Sequence, residues 1–112
     1  MREIKFRGKC KLLGKWMYGS LYIQRNGKVF INSTKVHEET VGQFTGLLDK
    51  NGKKIYEGDK VWCRAGEHDR GVWEYEKQFT VEYAWTQEMW EMMQAHEIEV
   101  IGNIHDNPEL LQ

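Results

Sequence analysis

Apolar and polar positions alternate along most of this chain with the period of a β-strand. Residues 2 to 7 set Ile4 and Phe6 against Glu3 and Lys5, a pattern that predicts a strand with one face turned to a core. Residues 16–24 (WMYGSLYIQ) and 28–33 (KVFINS) flank Asn26-Gly27, a pair that accepts the positive φ angles of a type I′ turn, so a hairpin is predicted with Arg25 opposite Lys28. That register would put Leu21, Ile23 and Phe30 on one face and Tyr22, Val29 and Ile31 on the other. Asp49 to Gly52 predicts a second turn, with Gly52 as its left-handed residue. A third turn, Tyr56 to Asp59, leads into KVWCR, where Val61 and Cys63 point one way and Lys60, Trp62 and Arg64 the other.

Beyond the polar segment 65–71 (AGEHDRG), GVWEYE and QFTVEYAW predict another hairpin, turning at Glu76 to Gln78. In TQEMWEMMQAH (86–96) the apolar residues recur at helical offsets instead, which predicts one short helix near residues 87–95. EIEVIGNI predicts a last strand, with Ile98 and Val100 inward and Gly102 at a bulge. The fold class is therefore mainly β: small antiparallel sheets or a barrel, SH3-like in form if a barrel closes in the second half. Pro108 is the single proline and the eleven glycines are scattered as punctuation, so no linker divides the chain. Residues 1–112 read as one domain with an N-terminal hairpin region (1–40), a β-barrel-like region (41–104) and a tail (105–112).

The 112 residues are 40% hydrophobic and 29% charged, a balance that fits one globular domain. The net charge of −1 gives no whole-chain electrostatic case for nucleic acid or an anionic membrane. No apolar run approaches the roughly 20 residues that span a bilayer, and MREIKFRGKC lacks the apolar stretch of a secretory signal, so a cytoplasmic location is expected. Cys10 and Cys63 stand in no paired spacing and read as packing residues.

Three blocks carry more specific wording: MREIKFRG at 1–8, VGQFTGLLDKNGKKIYEGDKV at 41–61 and EVIGNIHDNPELL at 99–111. Together they resemble the YopX family of phage and prophage proteins. The resemblance implies a small, mainly β protein of the bacterial cytoplasm with no established activity, and it carries over no catalytic residue. Residues 62–98 match none of these blocks.

Candidate chemistry is sparse. Glu67, His68 and Asp69 offer metal-ligand types, but three adjacent loop residues seldom converge on one ion. Glu57 and Asp59 flank Gly58, where Asp59 is expected to cap the turn. The glycines at 42, 46, 52 and 58 lack the Gly-Lys-Ser/Thr ending of a phosphate loop. No catalytic, cofactor-binding or metal residue is therefore expected, no cofactor, and no enzymatic activity; Gly27, Gly52, Gly58 and Asp59 are assigned to turns. The aromatic surplus, five Trp among 112 residues, points to a contact surface, with Trp73, Tyr75, Met89, Trp90 and Met93 as candidate interface residues and core packing as their other reading. Glu74, Glu76 and Glu82 beside them would repel phosphates, which favours a protein partner there. The leading function is thus a self-assembling, protein-binding accessory module, a homo-oligomer that also contacts a host or phage protein. The alternative is a small-barrel nucleic-acid-binding protein, suggested by Arg2, Lys5, Arg7, Lys9, Lys11 and Lys15; Lys5, Arg7, Lys9 and Lys11 would share one strand face, or would guard an edge strand from unwanted pairing.

Overall fold

A computed structural model describes residues 4–67, 72–82 and 97–106, with the backbone alone along 65–67 and 72–75. Among the described residues, ten strands realise the alternating pattern. β1 (Phe6–Lys9) pairs with β2 (Trp16–Gly19). β3 (Leu21–Ile23), β4 (Val29–Ile31) and β5 (Thr34–Lys35) form a separate meander. A 3-10 turn, Glu38–Thr40, leads into β6 (Gly42–Leu48), which returns to pair with β1 and then with β7 (Lys54–Tyr56). β8 (Asp59–Glu67) lies between β9 (Val72–Thr80) and β10 (Glu97–Asn103). The sheet orders are β2-β1-β6-β7, β3-β4-β5 and β10-β8-β9, all antiparallel. The chain is thus mainly β, in open sheets and without a closed barrel among the described residues, because β6 and β7 join β1 and β2 rather than wrapping round to β9 or β10. The helix expected near 87–95 lies outside the described residues.

Three local expectations are corrected. The β3–β4 register is Leu21↔Ile31, Tyr22↔Phe30 and Ile23↔Val29, one residue away from the expected pairing. The loop is the three residues Arg25, Asn26 and Gly27, closed by Gly27 N–H on the Gln24 carbonyl at 2.9 Å, and only Gly27 takes positive φ, at 86°. A one-residue slip exchanges the two faces of a strand, so Leu21, Ile23, Val29 and Ile31 share one face while Tyr22 and Phe30 share the other. Burial of Val29 and Ile31 decides between the two loops that Asn-Gly could make. Positive φ at two successive residues, the type I′ signature, occurs instead at Asn32 and Ser33 (47° and 68°), between β4 and β5.

The run 16–24 is not one strand. It breaks after Gly19, where the Asn32 side chain accepts from Ser20 N–H and donates to the Tyr18 carbonyl, both at 3.0 Å. Nor do Glu76 to Gln78 form a turn; they lie within β9, opposite Arg64, Cys63 and Trp62. Glu-Lys-Gln contains no residue that favours positive φ, and Glu76 accepts a hydrogen bond from Trp62 Nε1 across the sheet at 2.7 Å.

Two apolar clusters sit under these sheets. Val29, Ile31 and Val36 pack with Phe6, Met17, Leu21 and Val41, joining the meander to β1 and β2. Ile55, Val61, Cys63, Val81 and Ile98 pack with Leu47, Phe79 and Val100 under the third sheet. The β8–β10 register shifts between Val100 and Gly102, a bulge. Cys10 and Cys63 are buried and form no disulfide. Among the described residues no helix is long and apolar enough to cross a membrane.

The β6–β7 turn is anchored as well as tight. Asp49 Oδ1 accepts from Asn51 and Lys53 N–H at 2.9 Å, and Oδ2 accepts from Val100 N–H at 3.1 Å. Burial pushes this carboxyl up, but the three N–H donors outweigh it and hold the group below its ordinary value. Gly52 sits at φ 81°, a region a β-branched residue enters only under strain. Gly52→Val and Gly27→Val are each expected to cost about 1–3 kcal/mol in urea unfolding, the former more because it also disturbs the link from Asp49 to β10. Unchanged midpoints in both variants would remove this account of the turns.

Candidate functional site

The middle of β1 carries a buried cation. Arg7 is 4% exposed and meets Asp59, 1% exposed, at 2.9 Å between Nη2 and Oδ1. Its guanidinium also donates to the Glu57 carbonyl at 3.3 Å and lies over the rings of Trp16 and Tyr56, 4.7 and 5.1 Å from their centroids. Asp59 Oδ2 accepts from Tyr56 N–H at 2.8 Å, closing the turn that holds both residues. Burial raises the Asp59 carboxyl above its ordinary value, with Arg7 and the Tyr56 N–H pulling the other way. Gly58, at φ 93°, donates to the Val81 carbonyl at 2.7 Å and accepts from Ile104 N–H at 3.0 Å. β6 approaches the same turn so closely that a Cβ at Gly42 would lie 2.5 Å from the Glu57 carbonyl oxygen.

A second polar node lies alongside. Asp106 accepts from Lys9 Nζ, from Trp16 Nε1 at 2.7 Å and from Asn103 Nδ2 at 3.3 Å. The Lys9 hydrogen bond, then that of Trp16, brings its carboxyl down to about 2. His105 packs its ring against Trp16 at 5.9 Å; burial, with Arg7 nearby, holds the imidazole below its ordinary value and favours its neutral form. Arg7 from the first of the three sequence blocks, Gly58 and Asp59 from the second and His105 from the third therefore meet in one place.

Beside this junction opens a cleft of about 600 Å³, with Glu39, Glu57, Glu82 and His105 around Val81 and Ile104. Three carboxylates give it a negative potential that suits a cationic group. Among the described residues no group of three or more His, Cys, Asp or Glu is placed to hold a metal ion. Glu67 ends β8, while His68 and Asp69 lie outside the described residues.

Trp73 and Tyr75 lie on β9 opposite Gly66 and Ala65, with their side chains outside the described part; Met89, Trp90 and Met93 lie outside it altogether. The exposed large apolar side chains that are described lie elsewhere in the chain, six of them toward its N-terminus at Ile4, Leu12, Leu13, Tyr18, Tyr22 and Ile23, and two later, at Leu48 and Ile101. The N-terminal basic row is also divided: Arg7 is buried on Asp59 and Lys9 is paired with Asp106, so these two are not offered to a phosphate. The even overall charge conceals a split. Every charged residue from 4 to 37 is basic, and of the 17 acidic residues all but Glu3 follow position 37. Charge counted in windows along the chain, rather than as one sum, carries this signal.

The arrangement defines a small antiparallel β protein organised around a buried ion pair and a flanking acidic cleft. The family model described as YopX protein matches residues 5–112, and the chain belongs to the YopX family. The structure is similar to the crystal structure of protein EF1440 from Enterococcus faecalis, with a TM-score of 0.53, 22% sequence identity and 100% of each chain covered, a likeness of fold. No curated protein matches the sequence.

Two outcomes follow from the junction. Asp59→Asn leaves the Arg7 charge buried without its counter-ion and is expected to cost about 3–5 kcal/mol in urea unfolding; a loss below 1 kcal/mol would show that the pair is not what holds the turn to β1. Asp106 titrates lower in the fold, at about 2, than its ordinary 3.8. The unfolded chain therefore takes up the proton first, so the stabilisation is complete above the ordinary value and is lost as pH falls through the folded one. Asp106→Asn should lower the unfolding midpoint at neutral pH, and its difference from wild type should shrink between about pH 4 and pH 2. A difference independent of pH would mean that the charge on Asp106 contributes nothing.

Proposed function

We propose that this YopX protein is a non-catalytic, self-assembling binding module whose copies pair through the edge strand β3. The observation that carries this reading is the state of that edge. Tyr22 and Ile23 are 61% and 59% exposed, and no described strand pairs with the outer side of β3. Gln24 N–H bonds the Lys28 carbonyl and Asn32 N–H bonds the Ser20 carbonyl, so by antiparallel alternation Tyr22 directs its main-chain groups to β4 while Leu21 and Ile23 direct theirs outward. Unpaired outward N–H and C=O groups beside exposed apolar side chains make a template for another strand.

The edge also suits its own copy. An antiparallel pair centred on Tyr22 would set Leu21 opposite the partner copy's Ile23 and Tyr22 opposite Tyr22, with no like charges facing each other, and the two-fold axis closes the assembly at a dimer. The same reading takes the protein to work in the bacterial cytoplasm as a phage or prophage product, which the YopX resemblance supports.

Light scattering at micromolar concentration tests the pairing. The wild type is expected at twice the monomer mass and Ile23→Pro at the monomer mass, because proline removes an outward N–H and leaves the Tyr22 bonds to β4 in place. Ile23→Lys, a milder guard of the edge, should act alike if the proline variant is destabilised. A wild type that stays monomeric as concentration rises, or a folded variant that keeps the dimer mass, would overturn the proposal.

A further inference from the structure

We infer that the outer face of the β3-β4-β5 meander is a stacking platform for single-stranded nucleic acid. The register fixes what that face carries. Tyr22 stands opposite Phe30, and Phe30 opposite Lys35, so one row crosses all three strands as Tyr-Phe-Lys. Lys28, two residues before Phe30, lies on the same side. The opposite face is already filled by Val29 and Ile31, which are 8% and 0% exposed. Two aromatic rings on the side away from that core are therefore not spent on holding the meander together, and Tyr22 keeps 61% of its surface. The ring centroids are 6.4 Å apart and the planes tilted by 44°, a spacing that offers neighbouring seats to successive unstacked bases.

The charge on the meander itself is of one sign and is available. Arg25, Lys28 and Lys35 are exposed and make no ion pair among the described residues, unlike Arg7 and Lys9. The meander itself contains no acidic residue. The nearest, Glu38 and Glu39, follow it on the 3-10 turn, where with Lys11, Lys28 and Lys35 they line a groove of about 320 Å³; three cations there face two carboxylates. Base stacking on aromatic side chains tolerates any sequence because every base has a π-face, and flanking cations track the phosphates. A duplex keeps its bases stacked internally and would leave Tyr22 and Phe30 without a role, while an acidic peptide would use the lysines and not the rings.

Fluorescence anisotropy with labelled oligo(dT) and oligo(U), a duplex of equal length, and poly-glutamate, each from about 50 to 200 mM salt, tests this. The single strands are expected to bind more tightly than the duplex or poly-glutamate. Tyr22→Ala should weaken single-strand binding about tenfold, and Tyr22→Trp should keep it. Phe30→Ala should weaken it similarly where circular dichroism shows the sheet intact. Replacing Lys28 and Lys35 together with Ser should reduce the slope of log affinity against log salt by about 1.4, at about 0.7 per phosphate contact. Ile23→Pro, which disrupts the proposed dimer, should leave binding per chain in place, since Ile23 lies on the other face. No single-strand binding at low salt, equal affinity in Tyr22→Ala, or a preference for duplex or poly-glutamate would each overturn the inference.

Discussion

The ion pair between Arg7 and Asp59 is the constraint on which the rest of this structure depends. Two charges out of contact with water are costly, and their mutual attraction repays the cost only when the remaining donors and lone pairs are also met. Here the surroundings supply most of those partners, while Arg7 Nε is buried with no hydrogen-bond partner among the described residues. Asp59 takes the Tyr56 N–H, Arg7 reaches the Glu57 carbonyl, and Trp16 and Tyr56 lay ring faces against the guanidinium. Each of those contacts fixes a further element: Trp16 brings β2, the Tyr56–Asp59 turn brings β7 and β8, and Gly58 brings the ends of β9 and β10.

That junction lets a small chain maintain two modest apolar clusters instead of one. The meander packs on β1 and β2, the third sheet packs on β7 and the end of β6, and the polar junction lies where β1 meets the start of β8. Chemistry divides along the same line. The N-terminal third is basic and keeps exposed apolar side chains along its short strands, whereas the cleft by the Tyr56–Asp59 turn is walled by carboxylates. Among the described residues, that N-terminal surface keeps an open strand edge, exposed rings and cations outside any ion pair. The proposed dimer uses the edge of β3, the proposed platform the outer face of the meander, and Tyr22 belongs to both.

Much of this architecture is visible in the order of residues alone. Alternation identifies the strands around Val61 and Ile98, because a sheet with one buried face needs apolar side chains at every second position. Near the N-terminus it misleads, since the strand begins only at Phe6, Ile4 is exposed and Arg7 is buried instead. Asp49 to Gly52 is legible as a turn because its loop needs a residue of positive φ. The three blocks that mark the family are also legible as words, but their purpose is not: Arg7, Asp59 and Asp106 are far apart in the chain, and nothing local says that two of them form a buried pair and the third takes Lys9 and Trp16. The candidate surface on the meander was hidden for a different reason, since one net charge for the whole chain averages a basic end against an acidic remainder.

What the sequence by itself determined is the mainly β class, the positions of the principal turns and the inward residues of β8 and β10, all of which follow from side-chain period and from the φ angles that glycine permits. The tertiary structure alone decided the β3–β4 register, the passage of β9 through Glu76 to Gln78, and the return of β6 to β1. Asn26-Gly27 fits a two-residue or a three-residue loop equally well. Burial of Val29 and Ile31 against Phe6 and Met17, a contact between distant parts of the chain, selects the second and thereby turns Tyr22 and Phe30 to the outer face.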